Sequence, residues 1–70
     1  MQKICTYHIE VQGQVDENEL NTLSSLEMSV VREDPTCTVF LAQTDQSGLI
    51  GLIRRLHGLG FVLLSFTREQ

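Results

Sequence analysis

The order strand, short helix, strand, strand, long helix, strand predicts an α+β domain of the ferredoxin-like β(α)ββαβ kind with a reduced first helix. Three observations lead there. Residues 3–12 alternate apolar and polar side chains, the period of a strand with one buried face. Two further alternating runs are joined by Asp34-Pro35, a turn signal that makes them a hairpin. Asp45 to Phe66 then reads as an amphipathic helix running directly into an apolar strand.

In the first strand Cys5, Tyr7, Ile9 and Val11 point one way and Thr6, His8, Glu10 and Gln12 the other, and Gly13 ends it. Asp16 with Glu19 three residues later forms a capping box, and Val15 and Leu20 stand where a hydrophobic staple packs. They predict a short helix over Glu17 to Ser24, offering only Leu20 and Leu23 to a core. Leu26, Met28 and Val30 alternate with Glu27 and Ser29 in a second strand reaching Glu33. The third strand covers Thr36 to Gln43, with Cys37, Val39 and Leu41 on one face and Thr38 and Phe40 on the other.

Leu49, Leu52, Ile53, Leu56 and Leu59 recur at spacings of three and four, one stripe of a helix. Asp45 is its N-cap, and Arg54, Arg55 and His57 favour its C-terminal half, where the helix dipole attracts cations. Gly60 supplies the left-handed residue past the end, which brings Leu56 against Phe61 in a Schellman-type cap. Phe61 to Phe66 is apolar on both faces, so this last strand expects cover on each side.

A right-handed crossover from the third strand through the long helix to the fourth closes most simply with strand order 2-3-1-4. The helices then cover Tyr7, Ile9, Val11, Met28, Val30, Val39, Leu41 and Leu63. The open sheet face shows Thr6, His8, Phe40, Val62, Leu64 and Phe66. Monomers rarely expose an apolar patch of that extent, so Phe40, Val62, Leu64 and Phe66 are the expected interaction surface. A slipped or twisted last strand, tucking some of them into the core, is the plainer alternative.

Seventy residues make one small domain, residues 1–70, whose core supplies only about 3–5 kcal/mol and gains from a partner subunit. A net charge of −4 disfavours nucleic-acid and anionic-membrane partners. No apolar run reaches transmembrane length, and the N-terminus lacks a signal-peptide core, so the expected setting is cytoplasmic. Cys5 and Cys37, with no CxxC, read as reduced small hydrophobes.

The resemblance lies in Asp45-Gln46 and in Leu52-Ile53-Arg54-Arg55-Leu56-His57-Gly58-Leu59-Gly60-Phe61-Val62-Leu63-Leu64-Ser65. It resembles a family of short uncharacterised bacterial proteins ending D-Q-x-x-L-x-G-L-L-x-R-L-x-x-L-G-L-x-L-L-S-V. Tyr7-His8-Ile9-Glu10-Val11, with Gly13 and Asp16, resembles their first strand, whereas Asn21 to Ser25 departs where relatives often carry aromatics. The resemblance implies no activity. The fold also looks similar to small regulatory ligand-binding domains of the ACT type, an analogy that says little about function.

Catalysis needs a nucleophile or base beside an orienting partner, and the two histidines do not supply one. His8 reads as an exposed strand residue and His57 as a helix-end cation. Cys5 and His8 have opposite strand parity, which rules out a metal site built from Cys5, His8, Cys37 and His57. Gly48-Leu49-Ile50-Gly51 has the spacing of an RNA-binding GxxG loop but lies inside an apolar helix of an acidic domain. Gly51, Arg54, Arg55 and Gly58 form a weak basic patch, most simply solvated charge. The acidic residues between Asp16 and Asp34 read as solvating surface. The expected function is therefore non-catalytic, with no catalytic, cofactor or metal residues. The chain is read as a homodimer or protein-docking module using the open sheet face. An ACT-like small-molecule-binding regulatory domain is the alternative.

Overall fold

The computed structural model of the chain describes residues 3–23 and 26–69. β1 (Cys5–Gln12), α1 (Glu17–Leu23), β2 (Glu27–Glu33), β3 (Cys37–Thr44), α2 (Gln46–Gly58) and β4 (Leu63–Glu69) follow in chain order. The four strands form one sheet in the order β2-β3-β1-β4, with every neighbouring pair antiparallel. The architecture is α+β and ferredoxin-like, with two helices over one sheet face. Among the described residues no helix is long and apolar enough to cross a membrane.

Local chemistry sets each boundary. The Asp16 carboxylate accepts from the Glu19 N–H at 2.8 Å, and Val15 and Leu20 are both fully buried beside this start of α1. Ser24, the expected end of that helix, lies outside the described residues. The Asp34 carboxylate folds the hairpin around itself, accepting from Thr36 N, Thr36 Oγ1 and Cys37 N at 3.0, 2.8 and 3.0 Å. Asp45 caps α2 by accepting from Gly48 N at 2.8 Å. At the other end Gly60 takes φ +89°, Phe61 N donates to Leu56 O and Gly60 N donates to His57 O. That pair of bonds is the Schellman closure the sequence predicts.

β3 shows the opposite faces from those expected. Phe40 stands across from Ile9, Ala42 from Tyr7 and Thr38 from Val11, so the core takes Thr38, Phe40, Ala42 and Thr44. Phe40 is 0% exposed and cannot belong to an interaction surface. Val39 and Leu41, expected in the core, lie half-buried on the open face across from Glu10 and His8. The sequence misleads here because two threonines occupy core positions. Thr38 is satisfied there: its Oγ1 accepts from Val15 N and donates to Gly13 O, both at 2.9 Å.

β4 also departs from expectation. It begins at Leu63 and continues to Glu69, because Phe61 is spent on the helix cap and Val62 only lends its carbonyl to Gln12 N. Between Glu10 and Val11 the pairing shifts, so Leu63 and Leu64 together stand against Val11 while Phe66 stands against Ile9. A bulge of this kind adds a residue without changing the face. The run therefore reads as apolar front and back, although Leu63, Leu64 and Phe66 all belong to the helix side. Ser65, Thr67 and Glu69 occupy the open face, across from Glu10, His8 and Thr6. Among the described residues that face is mainly polar, with Val39 and Leu41 half-buried on it.

The core gathers Tyr7, Ile9, Val11, Val15, Leu20, Met28, Phe40, Ala42, Leu49, Leu52 and Leu56. It sits under α1 and α2 and over β2, β3 and β1, leaving β4 at the uncovered margin.

A candidate interaction surface at the β4 edge

The two edge strands are finished differently. β2 carries a bulge at Val31, between Val30 and Arg32, and the Glu17 carboxylate from α1 accepts from Val30 N at 3.2 Å. Bulges and side chains that take up edge amides discourage a further strand from adding. β4 pairs with β1 on one side only, and every one of its seven residues is exposed. Leu64 and Phe66 keep 49% and 48% of their surfaces in water on a face where Ile9 and Val11 keep none.

α2 explains that exposure. It packs its Leu49, Leu52 and Leu56 stripe into the core and leaves Ile50, Ile53 and His57, spaced three and four apart, on its flank. Ile53, Leu56, His57, Phe61 and Leu63 line a groove of about 180 Å³ between this flank and β4. Four of its five lining residues are apolar, so the groove suits an apolar side chain better than a polar ligand. Leu59 and Val62, in the connection from α2 to β4, are also exposed.

Of the expected surface residues, Leu64 and Phe66 lie on the helix side at the β4 margin instead of the open sheet face, Val62 is exposed just before β4 across from Gln12, and Phe40 does not join them. The α2 flank is missing from the sequence reading. Ile50 and Ile53, three residues apart and backed by His57 at helical spacing, are the signal that could have found it.

The remaining candidates do not converge. His8 lies on the open face, its Nε2 3.1 Å from Glu69 Oε1. Arg54, Arg55 and His57 are exposed on the last turns of α2. Cys5 stands across from Thr44 and Cys37 across from Gln12, so the two free thiols sit at opposite ends of the β1–β3 pair and on opposite faces. A separation of seven residues along a strand is about 23 Å, far beyond disulfide reach. The Cys37 thiol lies 3.8 Å from Asp34 Oδ2. A hydrogen bond to the Glu10 carboxylate, then burial and the Asp34 charge, raise its pKa and keep it protonated. Asp34 is held down to about 2, first by the Thr36 hydroxyl, then by the Cys37 and Thr36 amides, with Arg32 Nε 3.4 Å away adding to the effect. These are turn-forming bonds. Among the described residues no group of three or more metal-ligating side chains assembles.

A family described as a domain of unknown function (DUF8691) matches residues 6–67, from the second residue of β1 to the end of the apolar part of β4. No curated protein and no solved structure matches the chain.

Proposed function

The chain belongs to this family of unknown function, and from its surface we propose that it is a non-catalytic interaction module that forms a homodimer through β4. The carrying observation is an edge strand exposed at all seven residues, bearing Leu63, Leu64 and Phe66, in a sheet whose other edge is blocked. Antiparallel addition of a second β4 satisfies the free backbone groups of both copies and extends the sheet to eight strands. It also sets the Leu64 and Phe66 surfaces of the two copies side by side beneath the α2 flanks. Leu64, Phe66, Ile50, Leu59 and Val62, all exposed, are the apolar residues such an interface would draw on. The net charge of −4 favours a protein partner over nucleic acid or an anionic membrane. Two separated free thiols fit a reducing, cytoplasmic setting.

Light scattering or sedimentation across a concentration series tests this. The parent chain of 7.9 kDa should associate to twice that mass. Leu64→Asp and Phe66→Asp should each return it to the monomer with circular dichroism unchanged. Val31→Asp, on the blocked β2 edge, should leave the dimer intact. A parent monomeric at every concentration, or a dimer broken by Val31→Asp and indifferent to the β4 substitutions, would overturn the assignment.

A further inference from the structure

Beyond self-association, we propose that a hollow at the opposite end of β4 binds the oxyanion of a small metabolite, a carboxylate or a phosphate, through Arg68, Lys3 and the Tyr7 hydroxyl. The register builds it. Tyr7 lies between Ala42 of β3 and Arg68 of β4 on the helix side of the sheet, and Cys5 follows beside Thr44. α2 begins at Gln46 with its first turn seated over Thr44, so the hollow lies beside the start of that helix. Lys3, Cys5, Tyr7, Gln46 and Arg68 surround a concavity of about 240 Å³.

Tyr7 points to a ligand. The residue is only 8% exposed, and no hydrogen bond is made by its hydroxyl among the described residues. No buried side-chain oxygen or nitrogen there lacks a partner, so this hydroxyl is the part of Tyr7 that reaches the hollow. A phenol carried on an otherwise buried ring, at a fixed position and with its donor free, is a preorganised hydrogen-bonding group. Lys3 and Arg68 flank it, two of the five Lys and Arg residues of an acidic chain, and neither has an ion-pair partner among the described residues. The nearby carboxylates are engaged elsewhere. Asp45 accepts from Gly48 N at 2.8 Å, and Glu69 turns to His8 at 3.1 Å.

The surroundings also limit the rest of the ligand. Lys3, Cys5 and Arg68 are shared with an adjoining hollow of about 380 Å³ that adds Ile4, Thr6 and Glu69. An oxyanion held between Arg68 and Tyr7 would direct the remainder of its molecule there. With Ile4 and Glu69 on that wall, the remainder should be neutral or cationic, since a second negative group would meet Glu69.

Amide NMR titration of the intact chain at fixed ionic strength tests the site, with inorganic phosphate in one arm and propionate in the other. At least one arm should give saturable millimolar shifts centred on Cys5, Tyr7, Gln46 and Arg68, and which arm does so identifies the group. Arg68→Gln should weaken that binding about tenfold or more, because it removes a charge-assisted bidentate contact. Tyr7→Phe should weaken it several-fold, and Lys3→Gln provides a second exposed variant that leaves the core untouched. No saturable shift in either arm, shifts unaltered in both Arg68→Gln and Lys3→Gln, or shifts centred on Arg54 and Arg55 would overturn the proposal. The mass of the same samples reports self-association separately, so either reading can fail without the other.

Discussion

Gly48→Ala should destabilise the chain although it replaces a helical glycine with the best helix former. Such a replacement ordinarily gains about 0.5–1 kcal/mol by restricting the unfolded backbone. At Gly48 a Cβ would overlap the Thr44 hydroxyl and come within 3.2 Å of the Thr44 Cβ. Thr44 is fully enclosed at the end of β3, and α2 starts directly over it. Either the hydroxyl swings out of its place or the first turn of α2 lifts from the sheet, and displacing a buried polar group costs about 1–3 kcal/mol. The net expectation is a loss of about 1–2 kcal/mol once the helical gain is subtracted. Gly51, one turn on, has nothing within 4 Å of a built Cβ, so Gly51→Ala should gain about 0.5–1 kcal/mol. Thermal unfolding followed by circular dichroism resolves the opposite signs, because 1 kcal/mol moves the melting temperature of a domain this size by about 4–8 °C. The double variant Thr44→Ala/Gly48→Ala should recover part of the loss, the two sites being coupled through direct contact. If Gly48→Ala stabilises as much as Gly51→Ala, the close seating of α2 on β3 is wrong.

Phe40→Ala and Phe66→Ala should separate core from surface. Emptying the Phe40 site costs about 3–5 kcal/mol, comparable to the whole stability of a domain this small, so cooperative melting should vanish. Phe66→Ala at concentrations too low for association should cost no more than about 1.5 kcal/mol, half the value of a full burial. A Phe40→Ala chain that melts normally would contradict the β3 faces. Asp34→Asn keeps the turn-forming acceptor and removes the charge. The Asp34 pKa falls from 3.8 to about 2 on folding, so its charge contributes stability above 3.8 that is lost as the pH drops through about 2. Parent and Asp34→Asn urea midpoints should therefore differ at neutral pH and converge towards pH 2, and an undiminished gap there would refute the effect.

The element order, the strand order and all three helix caps at Asp16, Asp45 and Gly60 were legible because each rests on one residue type in one position. The faces of β3 and β4 were not. In Cys37-Thr38-Val39-Phe40-Leu41-Ala42-Gln43-Thr44 both parities carry apolar groups, and hydrophobicity alone selects the wrong one. The choice is made by hydrogen bonds to Thr38 from a loop distant in sequence and by the notch that Gly48 leaves for Thr44. The bulge at Leu63-Leu64 is a property of pairing with β1, invisible in a single strand read alone. The candidate surface was accordingly half legible: Val62, Leu64 and Phe66 were identified as unburied grease, but Leu64 and Phe66 were assigned to the wrong side of the sheet. The hollow at Tyr7 depends on Arg68 lying across from it, a relation sixty residues apart in the chain that only the register discloses.

The Glu17 carboxylate on Val30 N has a consequence for size. A sheet with two welcoming margins can recruit neighbours indefinitely and grow into a filament. With β2 stoppered by its own helix, the proposed pairing through β4 would use the open margin of each molecule, and assembly would halt at a pair.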